Sequence, residues 1–184
     1  MPSVADAGEL ARELLASLPD RWAHVQAVAA RADGLTPAIE DDDDRQLLVV
    51  ASWLHDLGYS PVLEDTGCHQ IDGTRYLTAE GYPDRLCALV AHHSAATFEA
   101  EERGLLAELE TWLREESPVA DALWMADMMT GPRGEELHYD ERLSEILNRH
   151  EPDSIVGRAM TRAEPAIRAA IERTRKRMAD AYTI

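Results

Sequence analysis

The sequence predicts an all-α protein folded as a single helical bundle, and three observations carry that expectation. Ala, Leu, Glu and Arg dominate, aromatic residues make up only 5% of the chain, and runs of β-branched residues are nearly absent. Apolar residues recur at three- and four-residue spacing rather than alternating. Capping residues, prolines and glycines punctuate that pattern where helices should start and stop. At 184 residues and 45% hydrophobic content, one domain over 1–184 has enough apolar side chain for a sizeable core.

Residues 6–18 read as an amphipathic helix with Leu10, Leu14, Leu15 and Leu18 on one face, stopped by Pro19. Asp20 then caps a second helix to about Ala32, closed by Gly34, with Trp22, Val25, Val28 and Ala29 on its apolar side and His24 among them. Thr36-Pro37 opens a segment that turns apolar at Leu47. Leu47, Val50, Ala51 and Leu54 form its buried stripe, His55 and Asp56 occupy its last turn, and Gly58 ends it. After a loop at 59–66, a helix starting at Gly67 or Cys68 carries His69 in its first turn and runs to about Glu80.

Gly81-Tyr82-Pro83 breaks the chain. A helix from Pro83 to Ser94 follows, with Leu86, Leu89, Val90 and His93 at i, i+3, i+4 and i+7, so His93 faces inward and His92 lies at the edge. Residues 104–114 read as an exposed amphipathic helix and 118–129 as another, started by Ser117-Pro118, with Leu123, Trp124 and Asp127 on one face. Gly131-Pro132-Arg133-Gly134 is a tight turn. Residues 140–150 form a short helix, and 153–181 form one long helix or two divided at Pro165, packing on the motif-bearing region at about 20–130.

Eighteen basic against 35 acidic residues give a formal net charge of −17, which disfavours nucleic acid polymers and anionic membranes as partners. A small anion is compatible with it, because a bound divalent cation reverses the local field. The run Glu40-Asp41-Asp42-Asp43-Asp44 reads as a solvated helix start, since consecutive carboxylates on a helix point in different directions. No apolar run is long enough to span a bilayer, and the N-terminus lacks the basic-then-apolar build of a signal peptide, so the expected compartment is the cytoplasm. Cys68 and Cys87 form no CxxC pair and read as reduced, packed thiols.

Five of the seven histidines, His24, His55, His69, His92 and His93, fall at helix positions with apolar neighbours, accompanied by Asp56 and Asp127. Burying two unpaired carboxylates among imidazoles is costly unless a cation joins them. Imidazole plus carboxylate, with no thiolate, suits a divalent transition metal: iron or manganese first, with zinc, cobalt and nickel also fitting.

These residues carry a resemblance. His24 in Arg-Trp-Ala-His-Val, the dyad His55-Asp56 in Leu-His-Asp-Leu-Gly and Asp127 in Met-Ala-Asp-Met-Met match, in order and helical setting over roughly 20–130, the HD superfamily of metal-dependent phosphohydrolases. His69, followed by Ile71-Asp72-Gly73-Thr74, and the His92-His93 pair resemble the added histidines of the subset that binds two metals. The resemblance implies that His24, His55, Asp56 and Asp127 hold one ion and that Asp56 bridges to a second held by His69 and His93. Some relatives use both residues of a His-His pair, which brings in His92.

It further implies hydrolysis of a phosphate ester or anhydride in a small anionic molecule, a nucleotide foremost, with His69 or His92 free to protonate the leaving group. Arg133, in its glycine-flanked turn, is placed to meet the phosphate, as an arginine soon after this aspartate does in dinucleoside polyphosphate hydrolases of the family. The same ligand set also serves di-iron relatives that cleave C–C or C–P bonds with dioxygen, and a non-catalytic metal or nucleotide sensor is the third reading. Two departures stand out: the family's frequent lysine after His-Asp-x-Gly is Tyr59 here, and Gly81-Tyr82-Pro83 precedes the His-His pair instead of following it. Pocket walls are expected from 59–66, 94–103 and 130–134.

Overall fold

The computed structural model describes residues 1–183. Among them lie ten α-helices and no strand, only one antiparallel bridge between Thr130 and Glu136. The chain is all-α, as its composition and periodicity predict.

The first helix, α1 (Val4–Leu15), starts earlier than its leucines suggest because Ser3 caps it reciprocally. The Ser3 hydroxyl accepts the Asp6 N–H at 3.1 Å and the Asp6 carboxylate accepts the Ser3 N–H at 3.2 Å, which satisfies two otherwise free donors. Pro19 is the first residue of α2 (Pro19–Leu35), so Asp20 lies in the first turn and is not the cap. Gly34 sits inside the same helix on its open side, with no atom within 4 Å of where a Cβ would stand. Thr36-Pro37 forms a separate 3-10 turn, and α3 (Asp42–Leu54) is capped by Asp41, whose carboxylate accepts the Asp44 N–H at 3.0 Å. The acidic run is thus a helix start.

Beyond α3 the chain passes through Asp56 and a 3-10 turn, Leu57–Tyr59, to α4 (His69–Ala79). The turn and α4 meet at two glycines. A Cβ on Gly58 would fall 1.9 Å from the His69 carbonyl oxygen, and one on Gly73 would fall 2.9 Å from the Gly58 nitrogen. Buried Asp72 folds the intervening loop back by accepting the N–H groups of Asp65 and Thr66, each at 3.1 Å, and the Thr66 hydroxyl at 2.8 Å.

Helix α5 (Asp84–Ala91) stops short of the expected 83–94. His92 leaves helical geometry, and His93–Ala95 makes a 3-10 turn in which Ser94 adopts φ 46°, ψ 40°. Helix α6 (Ala96–Arg103) then fills a stretch with too few apolar residues for periodicity to reveal it. Charge pairing supports it: Glu99 with its own Arg103 at 2.8 Å, and Glu102 with Arg158 at 2.8 Å. The expected helix over 104–114 reduces to one turn, α7 (Leu106–Leu109), anchored by fully buried Leu109.

Ser117 caps α8 (Pro118–Met128), accepting the Ala120 N–H at 3.1 Å. Helix α9 (Tyr139–Arg149) follows, and α10 (Ile155–Ala181) runs unbroken through Pro165, held along its length by packing on α8 and α6. Helices α3 and α8 are the inner pair. They pack on each other, both contact α2, and fully buried Leu48, Leu54, Val119 and Leu123 lie between the layers. This arrangement brings the last turns of α3 and α8 to the middle of α2. Among the described residues, no helix is long and apolar enough to cross a membrane.

Candidate metal centre

His24 comes from the middle of α2, His55 and Asp56 from the end of α3, His69 from the first residue of α4, His93 from the turn after α5, and Asp127 from the last turn of α8. Five of these six are nearly solvent-free, from His24 and His55 at 0% to Asp127 at 7% exposed. They meet around Asp56. Its Oδ2 lies 3.4 Å from His55 Nε2 and 3.6 Å from His24 Nε2, while its Oδ1 lies 3.3 Å from His69 Nε2 and 3.7 Å from His93 Nε2. Asp127 Oδ1 closes the first side, 3.1 Å from His24 Nε2 and 3.8 Å from His55 Nε2. Each oxygen of one carboxylate therefore faces its own pair of imidazoles.

Three rings are fixed from behind. The Nδ1–H groups of His24, His55 and His93 donate to the carbonyls of Gly131 (2.9 Å), Ser52 (2.8 Å) and Val90 (2.6 Å), which leaves each Nε2 as a lone-pair donor pointing inward. Acceptors then confront acceptors. His24 Nε2 faces a carboxylate oxygen, His93 Nε2 lies 3.1 Å from His69 Nε2, and His55 Nε2 is buried with no hydrogen-bond partner. Such a set is unfavourable unless cations fill the spaces between, and it matches the donor preferences of divalent transition metals. Donor atoms of His24, His55 and Asp127 lie within 4.8 Å of one another, as do those of His55, Asp56 and His93.

The electrostatics run the same way. Burial works to raise the Asp56 pKa, but the Arg21 guanidinium and the His55 and His69 imidazoles hold the carboxyl well below its usual range. Asp127 is likewise depressed, by His24 and His55 against burial. Burial lowers His55, and the two carboxylates more than reverse it, so its pKa is raised; His69 is lowered, chiefly by burial.

Two residues the sequence reading passed over belong to this place. Arg21 pairs with Asp56 Oδ2 and lies 3.8 Å over the Tyr59 ring, whose other contact is a stack on His69 at 4.1 Å between centroids. Arg21 stands one helical turn before His24, and that spacing was the available signal. Ser94 donates its hydroxyl to Asp127 Oδ2 from its left-handed backbone. No sequence pattern marks that residue.

Two expected residues do not join. His92 turns away where α5 ends: its Nε2–H donates to the Trp112 carbonyl at 2.7 Å, and its carbonyl accepts Trp124 Nε1–H at 2.9 Å. It neither faces Asp56 nor offers a proton there. Arg133 is exposed and paired with exposed Asp20 at 3.5 Å. The turn it occupies reaches the centre through backbone alone, by handing the Gly131 carbonyl to His24. Cys68 and Cys87 are free and buried, and burial pushes the Cys68 thiol up to about 11, the behaviour of a packing residue.

An all-α fold that buries histidines and aspartates from five separate elements around one carboxylate defines a helical protein with a metal-binding centre. The model of one family, the HD domain, matches residues 21–155, most of the chain, and the chain belongs to that family of generally metal-dependent phosphohydrolases. Neither the comparison with curated proteins nor that with solved structures returns a match.

Proposed function

We propose that the protein hydrolyses a phosphate ester or anhydride of a small molecule, with a nucleotide as the first candidate, at a pair of divalent ions. The first would be held by His24, His55, Asp56 and Asp127, the second by Asp56, His69 and His93, with iron or manganese as the leading metals. The observation that carries the reading is Asp56, whose two oxygens each face two inward-pointing imidazole nitrogens. Bound there, divalent ions lower the pKa of water and neutralise charge on phosphoryl oxygens.

The chain's own residues supply the rest. Arg21, held on the face of Tyr59 and aimed at the centre, is the group suited to a phosphate by forked, charge-assisted contact, the role that Arg133 is too far out on the surface to serve. Ser94 keeps Asp127 aimed at the imidazoles, and Tyr59 keeps the His69 ring in place. His69, with its pKa held down, acts as a neutral donor to the cation and not as the acid for the leaving group.

The test is phosphate release from a panel of nucleotides and phosphate esters, run anaerobically with each metal and again after complete metal removal. Activity should appear with metal and vanish without it. Arg21→Gln should raise KM about tenfold or more, while Arg133→Gln should leave it unchanged. Turnover that survives metal removal, or substrate-dependent oxygen uptake with no phosphate released, overturns the assignment. The second outcome would instead favour a di-iron oxygenase.

A further inference from the structure

A second concavity, of about 390 Å³, opens between the end of α5, the segment 114–118, α8 and α10. His92, the histidine turned away from the metal centre, forms part of its wall. Its other features are three arginines, buried Asp121, the less buried Glu115 and Glu116, and a tryptophan.

Asp121 is only 6% exposed and holds two guanidiniums at once. Arg173 reaches it with Nε at 2.8 Å and Nη2 at 2.5 Å, and Arg177 with Nη1 at 2.8 Å. One guanidinium is enough to neutralise a carboxylate, so the second is a surplus cation held in place by the first pair's geometry. Arg177 still has Nε–H and Nη2–H groups to offer, and Arg173 its Nη1–H groups. Arg114 adds a third cation, placed 5.5 Å over the Trp124 ring. Of the other acids on the wall, Glu115 shares Arg85 with Asp44, and exposed Glu116 lies near Arg173 without a hydrogen bond to it. On a chain of net charge −17, a wall whose arginines match its acids in number is locally far less negative than the surface around it.

The apolar part of the wall includes Leu89, Pro118 and the Trp124 indole. The cavity lies within the size range of small-molecule sites. We propose that it binds a small organic anion, a phosphate or carboxylate head carried on a planar apolar body. The head would lie against Arg173, Arg177 and Arg114, and the body against Trp124. This site rests on its own residues and stands or falls apart from the metal centre.

The test follows the Trp124 indole N–H in nitrogen-15 correlation spectra, assigned through Trp124→Phe, while AMP, benzoate and inorganic phosphate are titrated into the full chain and into Asp56→Ala. AMP or benzoate should shift that signal saturably in both proteins, with Kd at or below about 1 mM. Arg177→Gln, which leaves Arg173 on Asp121, and Arg114→Gln should each weaken binding about tenfold or more, and Arg177→Lys should restore part of it. No saturable shift with either organic anion, affinities unmoved by both glutamine variants, or inorganic phosphate binding as tightly as the organic anions would each overturn the proposal. Binding that disappears in Asp56→Ala would place the anion at the metal centre, which removes this site and leaves the proposed function standing.

Discussion

Replacing Asp56 by asparagine keeps shape and removes charge at the point where the two halves of the centre meet. In the metal-free protein the Asp56 carboxylate, 2% exposed, is the partner of Arg21, whose side chain keeps 19% exposure. Breaking a buried pair from one side costs about 3–5 kcal/mol, because the remaining charge is left without compensation. The residual solvent contact of Arg21, together with relief of the repulsion Asp56 exerts on Asp127, puts the expected loss at the lower end, about 3 kcal/mol. For a chain of this length that is a fall in Tm of about 6–12 °C, measured by thermal denaturation in chelator. The double variant Arg21→Gln/Asp56→Asn leaves no orphaned charge and should recover most of it. Metal affinity, measured by elemental analysis after equilibrium dialysis against manganese, should fall by more than the 10–100-fold that loss of a mere supporting partner costs. Strictly additive single and double variants would refute the pairing argument. An Asp56→Asn protein that binds the same number of ions at unchanged affinity would refute the central role given to this carboxylate.

Ser94→Ala and Ser94→Gly both remove the hydroxyl from Asp127 and should both weaken metal binding by about 10–100-fold. At φ 46° the glycine variant should be the more stable of the two by about 1 kcal/mol, and equal stability would contradict the left-handed conformation. Gly58→Ala drives a methyl into the His69 carbonyl at 1.9 Å, where backbone cannot yield cheaply, so loss of soluble folded protein is expected and a normal melting curve would count against the contact. Metal affinity should decline as pH falls. His55 must be neutral to donate, and although burial lowers its pKa, Asp56 and Asp127 raise it above that of an ordinary imidazole, so proton competition sets in at higher pH than for a free histidine while both carboxylates stay charged. Calorimetric titration in buffers of different ionisation enthalpy should record proton release, and affinity constant from about pH 5.5 to 8 would be inconsistent with it.

The five residues that gather around Asp56 were legible because each sits on, or next to, a helix whose apolar stripe shows in the sequence, and a stripe fixes which way its polar members face. His24 follows from Val25, Val28 and Ala29, and His93 faces as the stripe of Leu86, Leu89 and Val90 suggests although it stands in the turn after α5. The same logic ended where a helix ended. His92 and Ser94 lie past the last regular turn of α5, where side-chain direction depends on local φ and ψ that no periodicity reports. Arg133 was misread for a related reason. Its turn owes its tightness to Gly134 at φ 84°, packed so close that a Cβ would fall 2.9 Å from the Ala23 carbonyl oxygen, and that packing aims the Gly131 carbonyl inward and the arginine outward. Helix α6 escaped notice because what it buries is small, Ala96 and Ala100, and its charged partners are arginines on α10 some sixty residues away.

The net charge gains its meaning from where the positive groups are. A formal net charge of −17 repels a polyanion along its whole length, but beyond about 8–10 Å salt screens it, and a small anion responds mainly to what lies within that distance. At the centre, that is Arg21. Its position against Asp56 and on the Tyr59 ring keeps a guanidinium beside a cluster whose two carboxylates would otherwise present a negative face. Tyr59 has no charge of its own, but its aromatic face holds a cation from another helix. In the proposed reaction the phosphate would be met from the turn before His24 instead of from the position of Tyr59, and a single helix, α2, carries both a candidate metal donor and a cation beside it.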